Sequence, residues 1–478
     1  MFDTAPSPAG LAGLHARLRQ DLDWLELPAR KWTLDEERDG APVLDVAVVG
    51  AGMAGLAVGA ALRFSGVEAR LFDQSPAGME GPWVTFGRME TLRSPKQLTG
   101  PALGFPALTF RAWYEAQFGL AAWDALDKIP RPQWMDYLVW YRQATGVSVS
   151  NRTRLVNLED GRDAVRLTLE GPDGVSSLLA RHVVLATGRD GLGSPHIPDF
   201  CAGLTPALWA HSADDIDFAA LKGKRVGVIG AGASAMDNAG CALEAGAGSL
   251  DMFIRRRDMP MINKGKGGNS HGSFIGYADL PDAWKWRLQH YLNRQQIPPP
   301  RDSTRRVSRH PNARFHFGSG VEAIQDDGAV ITLTTPKGVY ELDFLIVGTG
   351  FRTEIGKRPE LANLTPHARL WADRFQPEAG LEDAGLGQSP DLAPDFAFQE
   401  RTPGAQPWIT RVHAFNYAAT LSLGKVSGDI PGVSNGAWKL TDALISRLYG
   451  QDPQRHLDTL EAYDEPELLG DEWTDADA

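Results

Sequence analysis

The feature of this sequence that most constrains its fold is an internal duplication. The segments VLDVAVVGAGMAGLAVGAAL (43–62) and GKRVGVIGAGASAMDNAGCAL (223–243) each combine an apolar run, a glycine turn and a run of small residues. Gly50 and Gly230, the first glycines of the two turns, are 180 positions apart, far more than one unit of a solenoid. A strand, a glycine turn and a small-residue helix are typical of a nucleotide-binding unit, so we predict an α/β protein with two Rossmann-like domains.

Composition excludes several function classes. The 478 residues carry a net charge of −12, whereas nucleic-acid binding requires clustered Lys and Arg. No apolar run approaches the roughly 20 residues of a membrane helix, and the start MFDTAPSPAG does not resemble a signal peptide. Cys201 and Cys241 are too far apart for a CxxC pair or a zinc cluster. We therefore predict a cytoplasmic protein without a metal site.

Hydrophobic patterns divide the chain into segments. Leucines recur every three or four positions near the N-terminus, which predicts an amphipathic helix (Leu11, Leu14, Leu18, Leu22, Leu25). HVVLATG and DFLIVGTG predict strands that end in TG turns, and AVRLTLEG and AVITLTTPKG predict antiparallel excursions before them. The predicted segments are an N-terminal extension (1–41), a first domain in two parts (42–205 and 316–450), a second domain inserted between those parts (206–315) and an acidic tail (451–478).

The first glycine turn has the residues that a dinucleotide site needs. Its first glycine permits a tight turn, the second lets the backbone approach a pyrophosphate, and the third lets the helix pack against the strand. Asp73 ends the next apolar strand, about twenty residues on, where its carboxylate can accept hydrogen bonds from ribose hydroxyls. The predicted cofactor-binding residues of this turn are Gly50, Gly52, Met53, Ala54, Gly55 and Asp73.

The second turn is followed by basic residues instead of an acid. The next strand ends in Arg255, Arg256 and Arg257, which offer charge-assisted hydrogen bonds to a 2′-phosphate. This predicts NADPH rather than NADH, and the alternative is a solvated run of surface arginines. A second dinucleotide beside NADPH implies hydride transfer to a flavin. The predicted NADPH-binding residues are Gly230, Gly232, Ala233, Ser234, Ala235, Arg255 and Arg256.

Three further motifs follow a fixed order with the two glycine turns: Gly81-Pro82-Trp83, Ala186-Thr187-Gly188 and Gly348-Thr349-Gly350-Phe351. Over roughly residues 43–450 the set resembles the class B flavoprotein monooxygenases, which include flavin-containing, Baeyer–Villiger and N-hydroxylating enzymes. The resemblance implies FAD in the first domain and NADPH in the second, which is inserted in the first. It also places Gly81, Trp83, Thr187, Gly188, Thr349 and Gly350 beside the cofactors.

Two residues are candidates for a direct part in the chemistry, and both depart from the family pattern. Arg93, in TLRSPKQL (91–98), stands about where flavin-containing monooxygenases usually have Asn. It would stabilise negative charge on oxygen or hold the nicotinamide end of NADP, and the alternative is a surface ion pair. His211 belongs to a stretched monooxygenase fingerprint, in which Asp215 replaces an aromatic or basic residue. It is either catalytic or a satisfied interdomain histidine. The rest of that fingerprint is Phe200, Gly203 and Ser212.

Near the C-terminus, SGDIPGVSNGAWKLTDALISRL (427–448) resembles the closing segment of the family. The resemblance implies that Gly428 and Asp429 contact the ribityl-phosphate side of the flavin. It also implies a helix from about Asn435 whose N-terminal dipole faces the flavin. A turn before a surface helix is the alternative.

The insertion 258–312 is the least family-like stretch. Its glycines and aromatic residues predict a mobile loop and a helix over the nicotinamide or substrate pocket, with Lys264 and Lys266 available to phosphate. A solvated insertion is the alternative. The aromatic residues are Trp284, Trp286 and Tyr291.

The function that the resemblance implies is an FAD-dependent NADPH monooxygenase. Reduced flavin would add molecular oxygen at C4a as a (hydro)peroxide and oxygenate a small molecule. The alternatives are an NADPH oxidase or electron-transfer reductase, and a non-catalytic flavin-binding redox sensor; the missing CxxC excludes a disulfide reductase. Amine, thioether, amino acid and ketone substrates all stay open, and a homo-oligomer is compatible with the sequence.

Overall fold

The structure, a computed structural model, describes residues 10–38 and 40–473. Two β-sheets organise most of this chain, and their strands alternate with helices as expected of nucleotide-binding domains. The strands are β1 Glu36–Arg38, β2 Ala41–Val49, β3 Ala69–Phe72, β4 Val149–Ser150, β5 Arg154–Asp160, β6 Val165–Gly171, β7 Gly174–Leu185, β8 Gly193–Pro195, β9 Trp209–His211, β10 Arg225–Ile229, β11 Ser249–Ile254, β12 Ala313–Phe317, β13 Ala323–Asp326, β14 Ile331–Thr335, β15 Gly338–Leu342, β16 Phe344–Val347, β17 Phe351–Thr353 and β18 Val412–Ala414.

The helices pack against the sheets and against one another. They are α1 Gly10–Trp24, α2 Met53–Phe64, α3 Phe110–Ala125, α4 Arg131–Thr145, α5 Ala233–Glu244, α6 Lys264–Gly267, α7 His271–Gly276, α8 Asp282–Gln295, α9 Arg301–Ser308, α10 Trp371–Arg374, α11 Ala384–Gly387, α12 Thr420–Leu423, α13 Val433–Gln451 and α14 Pro453–Ala462. Within the described part of the chain, no helix combines the length and apolar character needed to cross a membrane.

The first sheet has the order β4-β3-β2-β7-β6-β5, with β1 beside β2 and β18 beside β7. Strands β2, β3, β4, β7 and β18 run parallel, while β5, β6 and β7 form the antiparallel excursion that AVRLTLEG predicts. The residues of β2 from 46 to 49 are nearly all inaccessible, as expected of a parallel strand in the interior of a sheet. The carboxyl ends of β2 and β7 therefore lie side by side, where the first glycine turn begins.

The second sheet has the order β12-β11-β10-β16-β9, and all of its pairs are parallel. Its helices α5 and α9 pack on each other, and Val307 of α9 lies in the same core as Ala239 of α5. The final part of the insertion thus belongs to the helical layer of the second domain. Strands β13, β14 and β15 form the predicted antiparallel meander.

The chain crosses between the two domains twice, and the two crossings pair. Strand β8 leaves the first domain and β17 returns to it, antiparallel, with Thr353 opposite Gly193. A Cβ on Gly193 would lie 1.7 Å from the carbonyl oxygen of Arg352, so only glycine permits this approach. The prediction of two Rossmann-like domains, the second inserted in the first, is confirmed.

The predicted N-terminal helix is α1, whose Leu14 and Leu18 enter the core of the first domain. Leu25 lies beyond the helix and is exposed. At the other end, α13 begins at Val433, two residues before Asn435. The acidic tail forms the exposed helix α14 and an irregular segment as far as residue 473. The parts of the predicted extension and tail at 1–9, 39 and 474–478 lie outside the described residues.

Candidate cofactor and active site

The first glycine turn is closed tightly against β7. Gly50 has a φ of +100°, and a Cβ there would lie 2.4 Å from the Ala186 carbonyl oxygen. A Cβ on Gly55 would lie 1.9 Å from the Gly50 carbonyl oxygen. Gly52 precedes α2, whose first residues Met53 and Ala54 are buried. The turn therefore requires glycine at its first and third positions, as a backbone cradle for a pyrophosphate does.

The carboxylate of Asp73 holds this cradle in shape. Its Oδ2 accepts a hydrogen bond from the backbone N–H of Ala51 at 2.8 Å, and its Oδ1 accepts one from Ser75 at 2.8 Å. Each carboxylate oxygen can accept a second hydrogen bond. Asp73 thus fixes the glycine turn and keeps the capacity to accept a ribose hydroxyl, which stays a prediction.

Two of the predicted motifs meet the first turn in space. A Cβ on Gly52 would lie 3.9 Å from Gly81 Cα, and Gly81 has a φ of +77°. Trp83 follows, with its ring edge-on to buried Trp134 at 6.1 Å and its carbonyl oxygen accepting a hydrogen bond from Arg131. The loop after β3 is therefore folded back onto the start of α2.

The TG turn after β7 lies on the other side of Gly50. Thr187 Cα would be 3.5 Å from a Cβ on Gly50, and Gly188 has a φ of +82°. Asn416, which is fully buried, donates to the Leu185 carbonyl at 3.1 Å and to Thr187 Oγ1 at 3.3 Å. An amide that does not titrate thus braces this turn.

The second glycine turn repeats the arrangement with different residues. Gly230 has a φ of +114°, and a Cβ there would lie 2.5 Å from the Gly348 carbonyl oxygen. Gly232 precedes α5, which begins with Ala233 and Ser234. Ala235 is fully buried, and a Cβ on Gly348 would lie 2.6 Å from its Cβ.

The TG turn after β16 is braced by His211. The ring Nε2 of this buried histidine lies 3.1 Å from the Gly350 carbonyl oxygen, and its Nδ1 accepts from the backbone N–H of Ala213 at 3.2 Å. Burial lowers the pKa of His211, against opposing contributions from Asp214 and the Gly350 carbonyl. Thr349 donates its hydroxyl to the His196 carbonyl. Since both ring nitrogens are engaged, the geometry favours the interdomain interpretation of His211 over the catalytic one.

The arginines after β11 are not equivalent. Arg255 is exposed, and within the described residues its guanidinium makes no ion pair. Arg256 donates from Nη2 to the Arg294 carbonyl at 2.9 Å, so part of its capacity is already used. Arg257 is also exposed. Of the predicted pair, Arg255 is the one fully available to a 2′-phosphate.

Arg93 reaches across the domain boundary to a residue that the sequence analysis did not single out. Its Nη2 lies 3.5 Å from Oδ2 of Asp237 on α5, which is 2% exposed and whose Oδ1 has no partner among the described residues. Desolvation lowers the pKa of Arg93, Asp237 opposes this and the positive charge of Arg189 adds to it. Arginine stays protonated nonetheless. The sequence does contain a signal for Asp237: it is an acidic residue two positions after Ala235, in a predicted helix of small residues.

The C-terminal segment approaches the first TG turn. The Tyr417 N–H donates to the Gly188 carbonyl at 3.3 Å, and a Cβ on Gly428 would lie 3.8 Å from Tyr417 Cα. Gly428 is exposed and Asp429 is half-buried, just before α13. Gly428 is therefore brought near the first cradle, while a contact of Asp429 with the flavin stays a prediction.

Aromatic residues of the insertion fall into two groups. Trp286 is buried against Trp371 and donates to the Leu381 carbonyl at 2.8 Å, so it anchors α8. Trp284 and Tyr291 are about half exposed on the opposite side of the helix. Lys264 and Lys266 lie on α6.

Comparison with known proteins adds four similarities. Residues 44–374 match the pyridine nucleotide-disulphide oxidoreductase family. The chain is 39% identical over 466 residues to the FAD-dependent urate hydroxylase of Xanthomonas campestris pv. campestris, covering 96% of this chain and 98% of that protein. The fold is similar to Kutzneria sp. 744 ornithine N-hydroxylase, with a TM-score of 0.64, 17% identity, and coverage of 85% of this chain and 100% of the other. It is also similar to L-lysine 6-monooxygenase from Pseudomonas syringae, with a TM-score of 0.64, 15% identity, and coverage of 85% and 99%.

Proposed function

This chain belongs to the pyridine nucleotide-disulphide oxidoreductase family, and from that premise we propose that it is a urate hydroxylase. It is an FAD-dependent monooxygenase that uses NADPH and oxygenates a small molecule. The observation that supports urate as the substrate is the 39% identity, over nearly the whole of both chains, to the FAD-dependent urate hydroxylase. Disulphide reduction is not its chemistry, because the two cysteines are forty positions apart and both are free.

The balance of the reaction assigns a task to each domain. Urate, NADPH, a proton and molecular oxygen give hydroxylated urate, NADP⁺ and water. Bound FAD supplies the hydride acceptor and the site of oxygen activation. We propose that Gly50, Gly52 and Gly55 cradle its pyrophosphate while Asp73 orients its ribose. Gly230, Gly232 and the start of α5 would hold the NADPH pyrophosphate, and Arg255 would hold its 2′-phosphate.

Two finer properties are also proposals. The free thiols of Cys201 and Cys241 suit a reducing compartment, which supports a cytoplasmic location. A homo-oligomer would bury the half-exposed Trp284 and Tyr291 of α8.

The experiment is turnover of the FAD-loaded enzyme with NADPH and ¹⁸O₂. With urate present, we expect fast NADPH oxidation and a product one ¹⁸O heavier than urate, while xanthine serves as the control purine. If urate leaves the NADPH rate unchanged and all the oxygen is recovered as hydrogen peroxide, the protein is an oxidase. If both purines are labelled equally, the substrate assignment to urate is wrong.

A further inference from the structure

Among the described residues, Arg189 is a charged side chain without a counter-ion, and it lies at the first TG turn. It follows Gly188 in the first TG turn, and its guanidinium carbon lies 4.3 Å from the ring centroid of Tyr417. Within the described residues it makes no ion pair with a carboxylate, and it is exposed. A guanidinium stacked on an aromatic ring keeps its N–H groups directed outward in the plane of the fork. Such a group can donate two parallel hydrogen bonds to a planar anion.

The position of this stacked pair is fixed from two sides. Tyr417 donates its N–H to the Gly188 carbonyl, and buried Asn416 beside it holds Thr187. Thr187 is the residue that a Cβ on Gly50 would approach to 3.5 Å. The Arg189–Tyr417 pair therefore lies next to the first glycine cradle, on backbone that the fold holds in place.

Positive charge accumulates around the pair. Arg93 is near enough to sense the charge of Arg189, and the only carboxylate that Arg93 pairs with in the described residues is Asp237, at 3.5 Å. Among the described residues, these two guanidinium groups are accompanied by one paired carboxylate, Asp237, which pairs with Arg93 and not with Arg189. An anion bound beside Arg189 would bring the summed charge of Arg93, Arg189 and Asp237 close to zero.

The insertion packs within a few residues of Tyr417. Tyr277 lies against Gly424, where an added Cβ would be 3.1 Å from its ring, and its hydroxyl lies 3.4 Å from the Leu421 carbonyl oxygen. A Cβ on Gly265 would be 3.0 Å from Lys425 Nζ. These contacts shield the segment after Tyr417 from water, and this segment carries a further cation, Lys425.

We propose that Arg189, stacked on Tyr417, is the substrate-binding residue and that it takes a planar heterocyclic anion by two parallel hydrogen bonds. This inference rests on the proposed function, because urate is a planar anion at neutral pH with adjacent oxygen and nitrogen acceptors. It extends that function by assigning a residue to substrate selection. A neutral purine of similar shape lacks the charge that the guanidinium selects.

The test measures binding and turnover separately in the FAD-loaded enzyme. Urate, orotate and neutral hypoxanthine are titrated while the flavin absorbance is followed, and KM and kcat are measured with urate. We expect Arg189→Ala to weaken urate binding roughly tenfold or more, because a charge-assisted bidentate contact is lost, and Arg189→Lys to recover part of it. Anaerobic reduction by NADPH without urate should change less than about twofold.

A matched control is Arg70→Ala, since Arg70 also stacks on a ring, that of Phe72 at 5.5 Å, but on β3, the strand next to edge strand β4 of the first sheet. It should leave the urate KM unchanged. If Arg189→Ala binds urate as tightly as the wild type, or raises the KM of NADPH alone, the assignment of Arg189 is overturned while urate hydroxylation stands. If the wild type binds orotate through Arg189 but does not bind urate, Arg189 is an anion-binding residue and the proposed substrate is wrong. If the wild type binds neither urate nor orotate, the assignment of Arg189 and the assignment of urate as the substrate are both wrong.

Discussion

In the first glycine turn the helix carries Gly55 and the neighbouring strand end carries Ala186, whereas in the second the helix carries Ala235 and the strand end carries Gly348. The place of a Cβ on Gly55 is 3.5 Å from Ala186 Cβ, an ordinary contact, but 1.9 Å from a backbone carbonyl. The place of a Cβ on Gly348 is 2.6 Å from Ala235 Cβ. The first turn therefore excludes a methyl group because of its own backbone. The second excludes one because of the facing Ala235, whose Cβ and Cα would lie 2.6 and 2.9 Å away, and because of the Ile229 carbonyl oxygen at 2.9 Å.

This difference shows where each turn has freedom to vary. The Gly50 carbonyl is part of the turn that closes the first cradle, so we expect the first site not to tolerate alanine at Gly55. Where two residues face each other, glycine at one position can accompany alanine at the other. The second site has alanine on the helix and glycine at the strand end, the reverse of the first site. The variants below test this distinction, beginning with the largest expected effect.

Gly55→Ala should abolish flavin binding. The new methyl group would overlap the Gly50 carbonyl, and relief requires moving α2 away from the strand, at a cost of about 4 kcal/mol or more. The measurement is the FAD content and melting temperature of the purified protein. Gly59→Ala on the same helix is the matched control, because its methyl group would meet side-chain ends of Leu71 and Val147, which can shift. Equal loss in both variants would contradict the distinction.

Gly348→Ala should weaken NADPH use while leaving FAD bound. Overpacking against Ala235 is expected to cost about 2 kcal/mol, expressed mainly in the second domain. Adding Ala235→Gly should lower the raised KM of NADPH only part of the way, since the Cα of residue 235 and the Ile229 carbonyl oxygen would each still be 2.9 Å from the new methyl group. A double variant no better than the single one would show that the backbone limits both turns.

Arg255→Ala should raise the KM of NADPH roughly tenfold to a hundredfold and leave the KM of NADH nearly unchanged, since only the 2′-phosphate loses its partner. Arg256→Ala should do less, because Arg256 is already bonded to the Arg294 carbonyl. Steady-state kinetics with both nucleotides check this. Equal effects on NADPH and NADH would show that these arginines are solvated surface residues.

Arg93→Ala tests whether the contact between the two domains serves the oxygen half-reaction. Its fixed charge would stabilise negative charge developing on oxygen, so its loss should increase hydrogen peroxide release. Anaerobic flavin reduction should stay within roughly tenfold of normal, about 1.4 kcal/mol. Slower reduction with unchanged peroxide release would assign Arg93 to the NADPH site. Asp237→Asn, which keeps the shape of this partner but removes its negative charge, should not increase hydrogen peroxide release.

The smallest expected effect concerns the two residues that brace the TG turns, Asn416 and His211. Asn416 does not titrate, so a change of pH tests only His211. The pKa of folded His211 lies below its unfolded value, near 6.5, so its contribution to stability is complete above that pH and is lost as pH falls towards the folded pKa. A protonated Nδ1 can no longer accept from Ala213. We divide the KM of NADPH for the wild type by that for His211→Asn. This ratio should rise a few-fold as the pH falls from about 7 to about 5.5. A constant ratio would show that His211 does not titrate in this range.

Much of this architecture is readable from the sequence, because glycine turns, apolar strands and small-residue helices are local patterns. The two cradles, the inserted domain and the antiparallel excursions follow from such patterns. The exchange between Ala235 and Gly348 does not, since these residues are over a hundred positions apart and their contact depends on β16 lying beside β10. Asp237, Asn416 and the Arg189–Tyr417 pair were missed for the same reason. The role of each of these residues depends on a contact with a residue that is distant in the sequence.

The paired crossings β8 and β17 also set an order of assembly. The second sheet uses one continuous stretch of chain, from β9 at 209 to β16 at 347, so its strands can join without the rest of the protein. The first sheet is completed later, because its strand β18 at 412 pairs with β7 at 183 and Asn416 braces Thr187. Pairing across so long a gap is slow unless the intervening chain has already become compact. We therefore expect the inserted domain to form first and draw the ends of the other together, so that the flavin cradle is completed last, during synthesis as in refolding.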